Sequence, residues 1–101
     1  MLTSKQRAFL RGQAQNLNAI FQLGKTGISQ ESVKAVADAL ARREIVKLHV
    51  LETCPYNAKE AAPVLAEAVK CDVVQVIGSK IVLFKKKSKD SKYDLKNLTV
   101  L

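Results

Sequence analysis

The first apolar residues fall at helical spacing. Phe9, Leu10 and Ala14 form one stripe, while Lys5, Arg7 and Arg11 lie off it. Thr3 and Gln6 have the spacing of a capping box, so a first helix is predicted from there to about Gln15. Gly12 weakens that helix by ~1 kcal/mol relative to Ala. Ala19 to Leu23 is short, apolar and stopped by Gly24, which predicts a strand. After Gly24-Lys25-Thr26-Gly27-Ile28 comes Ser29, a good N-cap. Val33, Val36, Ala37 and Leu40 then repeat at i, i+3, i+4 and i+7, predicting a helix over 30–43. Arg42 and Arg43 fall in its last turn, where the helix dipole favours cations.

The period then shortens. Between Ile45 and Glu52, Val46, Leu48 and Val50 share one face of a predicted strand, with Lys47 and His49 on the other. Pro55 marks a turn, and Asn57 with Glu60 repeats the capping-box spacing ahead of a third helix that turns Leu65, Ala68 and Val69 inward. Pro63 conflicts with a helix interior, because it removes a hydrogen bond; the helix is expected either to bend or to start later. Val73 to Ile77 and Ile81 to Phe84 are β-branched strands, and Gly78-Ser79 between them suits a type II′ hairpin. Beyond Lys85 the chain is polar. Tyr93 and Leu95 are available to fold back on the sheet, and residues 96–101 are assigned no element. The order α-β-α-β-α-β-β predicts one compact α/β domain over 1–95, with a four-stranded mixed sheet, packed helices and a short tail at 96–101. Its helical crossovers should be right-handed and its last two strands antiparallel.

Charge adds a direction to this outline. Lys and Arg number 17 against 9 Asp and Glu, a net of +8. Residues 1–30 carry four of the cations and no acid; 31–79 carry six cations and seven acids; 80–101 carry seven and two. A neutral middle between basic ends points to a polyanionic partner, since neutralising phosphates releases condensed counterions. No apolar run approaches the ~20 residues that span a bilayer, and the polar start lacks a signal-peptide core, so a cytoplasmic protein is expected. Cys54 and Cys71 bracket the third helix, roughly 20 Å apart at ~1.5 Å per residue, too far for a bridge. They are read as free thiols. With His49 they are too few for a closed zinc site, and no cofactor is expected.

Gly24-x-x-Gly27 is the most pointed feature. It lies where a strand ends and a helix begins. Glycines there let the backbone turn and leave no side chain to hold off a phosphate, while Lys25 adds a cation and Thr26 a hydroxyl. By contrast, one histidine without a carboxylate at fixed spacing makes no general base, and Cys54 lacks an orienting third group, so no enzyme is expected. Only five aromatic residues exist, Phe9, Phe21, Tyr56, Phe84 and Tyr93. No strand carries the aromatic pairs that stack single-stranded bases, which favours recognition of RNA backbone and shape.

Leu2-Thr3-x-Lys5-Gln6-Arg7 with Leu10-Arg11, Leu23-Gly24-Lys25-Thr26-Gly27-Ile28-Ser29, Glu44-Ile45-Val46-Lys47-Leu48, and Val74-Gln75-Val76-Ile77-Gly78 leading to Ile81-Val82-Leu83-Phe84-Lys85 follow one another in order. Together they resemble the YhbY-like family, also called the CRM (chloroplast RNA splicing and ribosome maturation) domain, over residues 2 to about 95. Phe84 stands where many members have Tyr, and Pro63 interrupts a helix usually unbroken. The resemblance implies a fold similar to the C-terminal domain of translation initiation factor three. It also implies an RNA-contacting loop comparable to that of KH domains, here Gly24, Lys25, Thr26 and Gly27, and an association with precursors of the large ribosomal subunit. The expected partner is therefore structured RNA, ribosomal RNA above all, bound by a monomer without a small-molecule substrate or membrane. Lys5, Arg7, Arg11, Lys47, Lys85, Lys86 and Lys87 are expected to widen the positive surface around the loop. The alternative is a protein-docking module on the ribosome or an assembly GTPase.

Overall fold

The computed structural model describes residues 3–85, folded as α1 (Ser4–Ala14), β1 (Phe21–Leu23), α2 (Gln30–Arg43), β2 (Ile45–Val50), α3 (Ala58–Val69), β3 (Asp72–Ile77) and β4 (Lys80–Phe84). Each helix starts on a capping box. Thr3 Oγ1 accepts from the Gln6 amide at 3.1 Å, Ser29 Oγ from that of Ser32 at 3.1 Å, and Asn57 Oδ1 from that of Glu60 at 2.8 Å. These caps satisfy amides that have no partner within their own helices.

The sheet order is β1-β2-β4-β3, with β1 parallel to β2 and β4 antiparallel to both its neighbours. Strand alternation divides its side chains between two cores. Val46, Leu48 and Val50 of β2 and Ile81 and Leu83 of β4 pack under α2 and α3, with Leu40, Ala61 and Leu65. Ile45, Val82 and Phe84 point the other way and pack under α1 with Leu10, Ala14 and Val74. This second core is small, so α1 covers only the end of its face near Phe84. The rest of that face is open: Gln22 pairs in register with His49, and His49 with Lys80.

The differences from the sequence reading have local causes. β1 begins at Phe21 rather than Ala19, although the Ile20 amide still donates to the Lys47 carbonyl at 3.0 Å. β2 ends at Val50 rather than Glu52, because the Leu51 amide crosses to the Leu23 carbonyl at 2.8 Å and the chain then turns back. Ala68 is exposed rather than inward; the buried stripe of α3 is Ala58, Ala61, Ala62, Leu65 and Val69. The helix does not start late: Pro63 lies inside it, exposed, where the carbonyl it leaves without an amide can meet water. A bulge between Val73 and Gln75 turns Val74 into the α1 core and leaves Gln75 on the same side. Gly78 has φ +57° while Ser79 is not in the positive-φ region, the arrangement of a type II′ turn. Tyr93, Leu95 and the 96–101 tail lie outside the described residues.

Candidate nucleic-acid interface

The glycine loop is a closed turn. The Gly27 amide donates to the Gly24 carbonyl at 2.9 Å, which leaves Lys25 and Thr26 at the tip, both exposed. The two glycines do different work. Gly27 has φ +65°, is buried, and a Cβ there would lie 3.1 Å from Pro55 Cγ and 3.4 Å from Tyr56 Cε2. A Cβ on Gly24 would meet only ordinary contacts, Leu51 Cδ1 at 3.6 Å and Thr53 Oγ1 at 3.7 Å. Gly27 is thus a structural requirement of the loop, whereas half-buried Gly24 has room for a Cβ. The helix does not begin directly at the turn. Ile28 and Ser29 intervene, the Ser29 hydroxyl occupies the Ser32 amide, and Glu31 lies in the first turn of α2. The positive charge of the site therefore comes mainly from Lys25.

The loop stands at the end of the sheet where β1 and β2 finish. The β3–β4 hairpin reaches the same end, since the Val50 amide donates to the Ser79 carbonyl at 2.7 Å. From that end the open sheet face runs back past His49 to Lys47, three strand steps or about 10 Å from Val50. There Lys47 meets Arg11 across a cleft of about 420 Å³ between the C-terminal half of α1 and the sheet, lined also by Gln15, Gln75 and Ile77. Arg7 lies one turn before Arg11 on a neighbouring position of the helix surface, whereas Lys5, two residues earlier still, falls on the opposite side. Among the described residues, Lys5, Arg7, Arg11, Lys25 and Lys47 take part in no ion pair.

The structure thus brings Lys47 and Arg11 together, with Arg7 one turn along α1 and the loop about 10 Å further along β2. It does not bring Lys85 to them. Lys85 follows Phe84 at the far end of β2, about 17 Å from Val50 along the strand, and its Nζ donates to the Val69 carbonyl at the end of α3 at 3.3 Å. Lys86 and Lys87 lie outside the described residues. Sequence reasoning passed over Gln22, Lys80 and Gln75, which face the open side. Lys80 lies opposite His49 through the long-range β2–β4 pairing, which has no local sequence signal. Sequence reasoning also passed over Tyr56, whose signal was an aromatic between a turn proline and a helix cap.

Cys54 and Cys71 are free, both half-buried against the larger core. Burial, reinforced by the neighbouring Asp72 carboxylate and opposed by Lys85, pushes the Cys71 thiol up to about 11 from an ordinary 9.0. It is a protonated packing residue at neutral pH, not a nucleophile.

Comparison with known proteins identifies the family and the fold. The CRS1 / YhbY (CRM) domain matches residues 2–85. YqeI of Bacillus subtilis (strain 168), named a probable RNA-binding protein, is 39% identical over 95 residues, covering 94% of this chain and 99% of the relative. MJ0652 of Methanocaldococcus jannaschii carries a similar name and is 35% identical over 94 residues, covering 91% of this chain and 69% of the relative. The solution structure of the hypothetical protein SAV1595 from Staphylococcus aureus, proposed there to bind RNA, superposes with a TM-score of 0.72. Its sequence identity is 38%, and the match covers 93% of this chain and 98% of that one. These names describe binding, and none describes a reaction. Four ordered sequence blocks, a β1-β2-β4-β3 sheet between two helical layers and a family match over 2–85 lead to one conclusion: the chain belongs to the CRS1 / YhbY (CRM) domain family.

Proposed function

We propose that this chain binds structured RNA, as a cytoplasmic monomer acting on precursors of the large ribosomal subunit. The observation that carries the reading is the shared sheet end: a closed glycine turn presents Lys25 and Thr26 beside an open sheet face on which Lys47 and Arg11 line one cleft. Unpaired cations on a rigid scaffold attract phosphates from any sequence, and a shallow face without stacked aromatics on its strands suits helical or folded RNA better than extended single strands. The relatives' names support the same partner. Lys85 is left out of the primary surface, because its amine caps α3 at the other end of the sheet.

Purified full-length protein should bind fragments of large-subunit ribosomal RNA in a fluorescence-anisotropy titration. The Lys25→Asp, Thr26→Asp double variant should lose most of that affinity while its circular dichroism is unchanged. Wild-type affinity in the folded variant would make the loop a mere turn.

A further inference from the structure

Beside the glycine turn lies a hollow of about 430 Å³, within the ~300–1,000 Å³ range of small-molecule pockets. Tyr56 lines it and is 43% exposed. The ring is held on a rigid stretch. Pro55 precedes it, and Asn57 follows as the reciprocal cap of α3, its amide donating to Glu60 Oε1 at 3.0 Å. One ring edge abuts Gly27, so the hollow and the loop are contiguous. The Tyr56 hydroxyl has no hydrogen bond among the described residues. The opposite rim is the Gly78-Ser79 turn.

The charges of the two neighbours are opposite. The loop tip carries Lys25, while the acidic residues Glu52 and Glu60 are among those lining the hollow, Glu60 Oε1 also accepting from the Asn57 backbone amide. Carboxylates repel a phosphate, but they accept hydrogen bonds from exocyclic amines, and an exposed aromatic face stacks an unpaired base. We propose that the hollow beside Tyr56 takes one unpaired RNA base bearing an exocyclic amine (adenine, cytosine or guanine), stacked on the tyrosine while the Gly24–Gly27 turn holds the adjoining backbone. The inference rests on the RNA-binding reading above and deepens it. It makes the protein a reader of a bulged or flipped nucleotide in folded RNA, not of backbone alone.

The test uses the full chain and short hairpin RNAs that are either fully paired or carry one bulged adenosine, one bulged uridine or a fluorescent purine analogue at the bulge. Wild type should bind the adenosine bulge roughly tenfold more tightly than the paired hairpin, the scale of one base–aromatic stack. The uridine bulge should gain little, and the analogue's fluorescence should fall on binding. Tyr56→Leu retains apolar bulk against Gly27 but has no π face. It should bind the paired hairpin like wild type, with no bulge preference and no quenching, while Tyr56→Phe keeps both. Equal binding of bulged and paired hairpins by wild type, or a preference that survives Tyr56→Leu, overturns the base site. A uridine bulge bound as well as adenosine overturns the assignment of the carboxylates. The Lys25→Asp, Thr26→Asp variant separates the two readings: it should lose both hairpins, and failure of wild type to bind either one would remove the RNA reading together with the site.

Discussion

Gly24 and Gly27 look alike in the sequence and differ in the fold. Alanine at position 27 must adopt a left-handed conformation, which costs an L-residue ~1–2 kcal/mol, and must also displace the Pro55 ring. Gly27→Ala should therefore lower unfolding free energy by about 1–3 kcal/mol in urea denaturation, and Gly24→Ala by less than about 0.5 kcal/mol. Equal losses would show that the turn is not held by Pro55. Cys71 gives a second residue-scale prediction. Its thiol proton is bound more tightly in the folded chain, about 11 against 9.0, so its contribution to stability is complete below pH 9 and is lost as pH rises toward 11. Melting temperature should fall over that window in wild type and fall less in Cys71→Ala; a thiol reagent at neutral pH should modify Cys54 first. That both cysteines are free followed from the helix between them. The raised affinity of Cys71 for its proton comes first from burial, which no spacing reveals, and is reinforced by the adjacent Asp72 against the opposing Lys85.

The helices were legible because each starts on a capping box and repeats its apolar residues at helical spacing: α2 runs over Gln30–Arg43 as expected. The strands were legible in kind but not in length. β1 and β2 end where backbone hydrogen bonds cross between them, and the bulge at Val74 has no sequence signal beyond a β-branched run. Pro63 misled the reading in one respect, because a helix can hold a proline on its exposed side when the lost bond faces water. The bond and its steric clash remain costly, and the restraint proline places on the unfolded chain offsets only part of that cost. Pro63→Ala should thus stabilise the domain by about 1–2 kcal/mol, read from chemical denaturation; destabilisation would mean that the ring packs usefully. At the opposite extreme, α1 is attached through a small core. Leu10 is fully buried there, and Leu10→Ala should cost about 2–5 kcal/mol, with hydrogen exchange rising first in α1.

At the scale of the molecule, the described cations do not all converge on one surface. Arg11 and Lys47 line one cleft on the open side of the sheet and the loop stands beyond Val50 at the end of β2, whereas Lys85 caps α3. The element order and the loop motif could be read along the chain. The partition of cations between the two ends of the sheet could not, because it depends on β4 entering between β2 and β3. With roughly five or six phosphates neutralised, log K for RNA should fall against log salt with a slope of roughly −4 to −5. A slope near zero would favour protein docking over RNA. The most direct measurement of the central claim is crosslinking in cells, with wild type and the folded Lys25→Asp, Thr26→Asp variant, followed by sequencing of the attached RNA. The account predicts enrichment of large-subunit ribosomal RNA precursors with wild type and loss of that enrichment with the variant. Equal RNA recovery from both proteins, or wild-type recovery with no enrichment of these precursors, would contradict it.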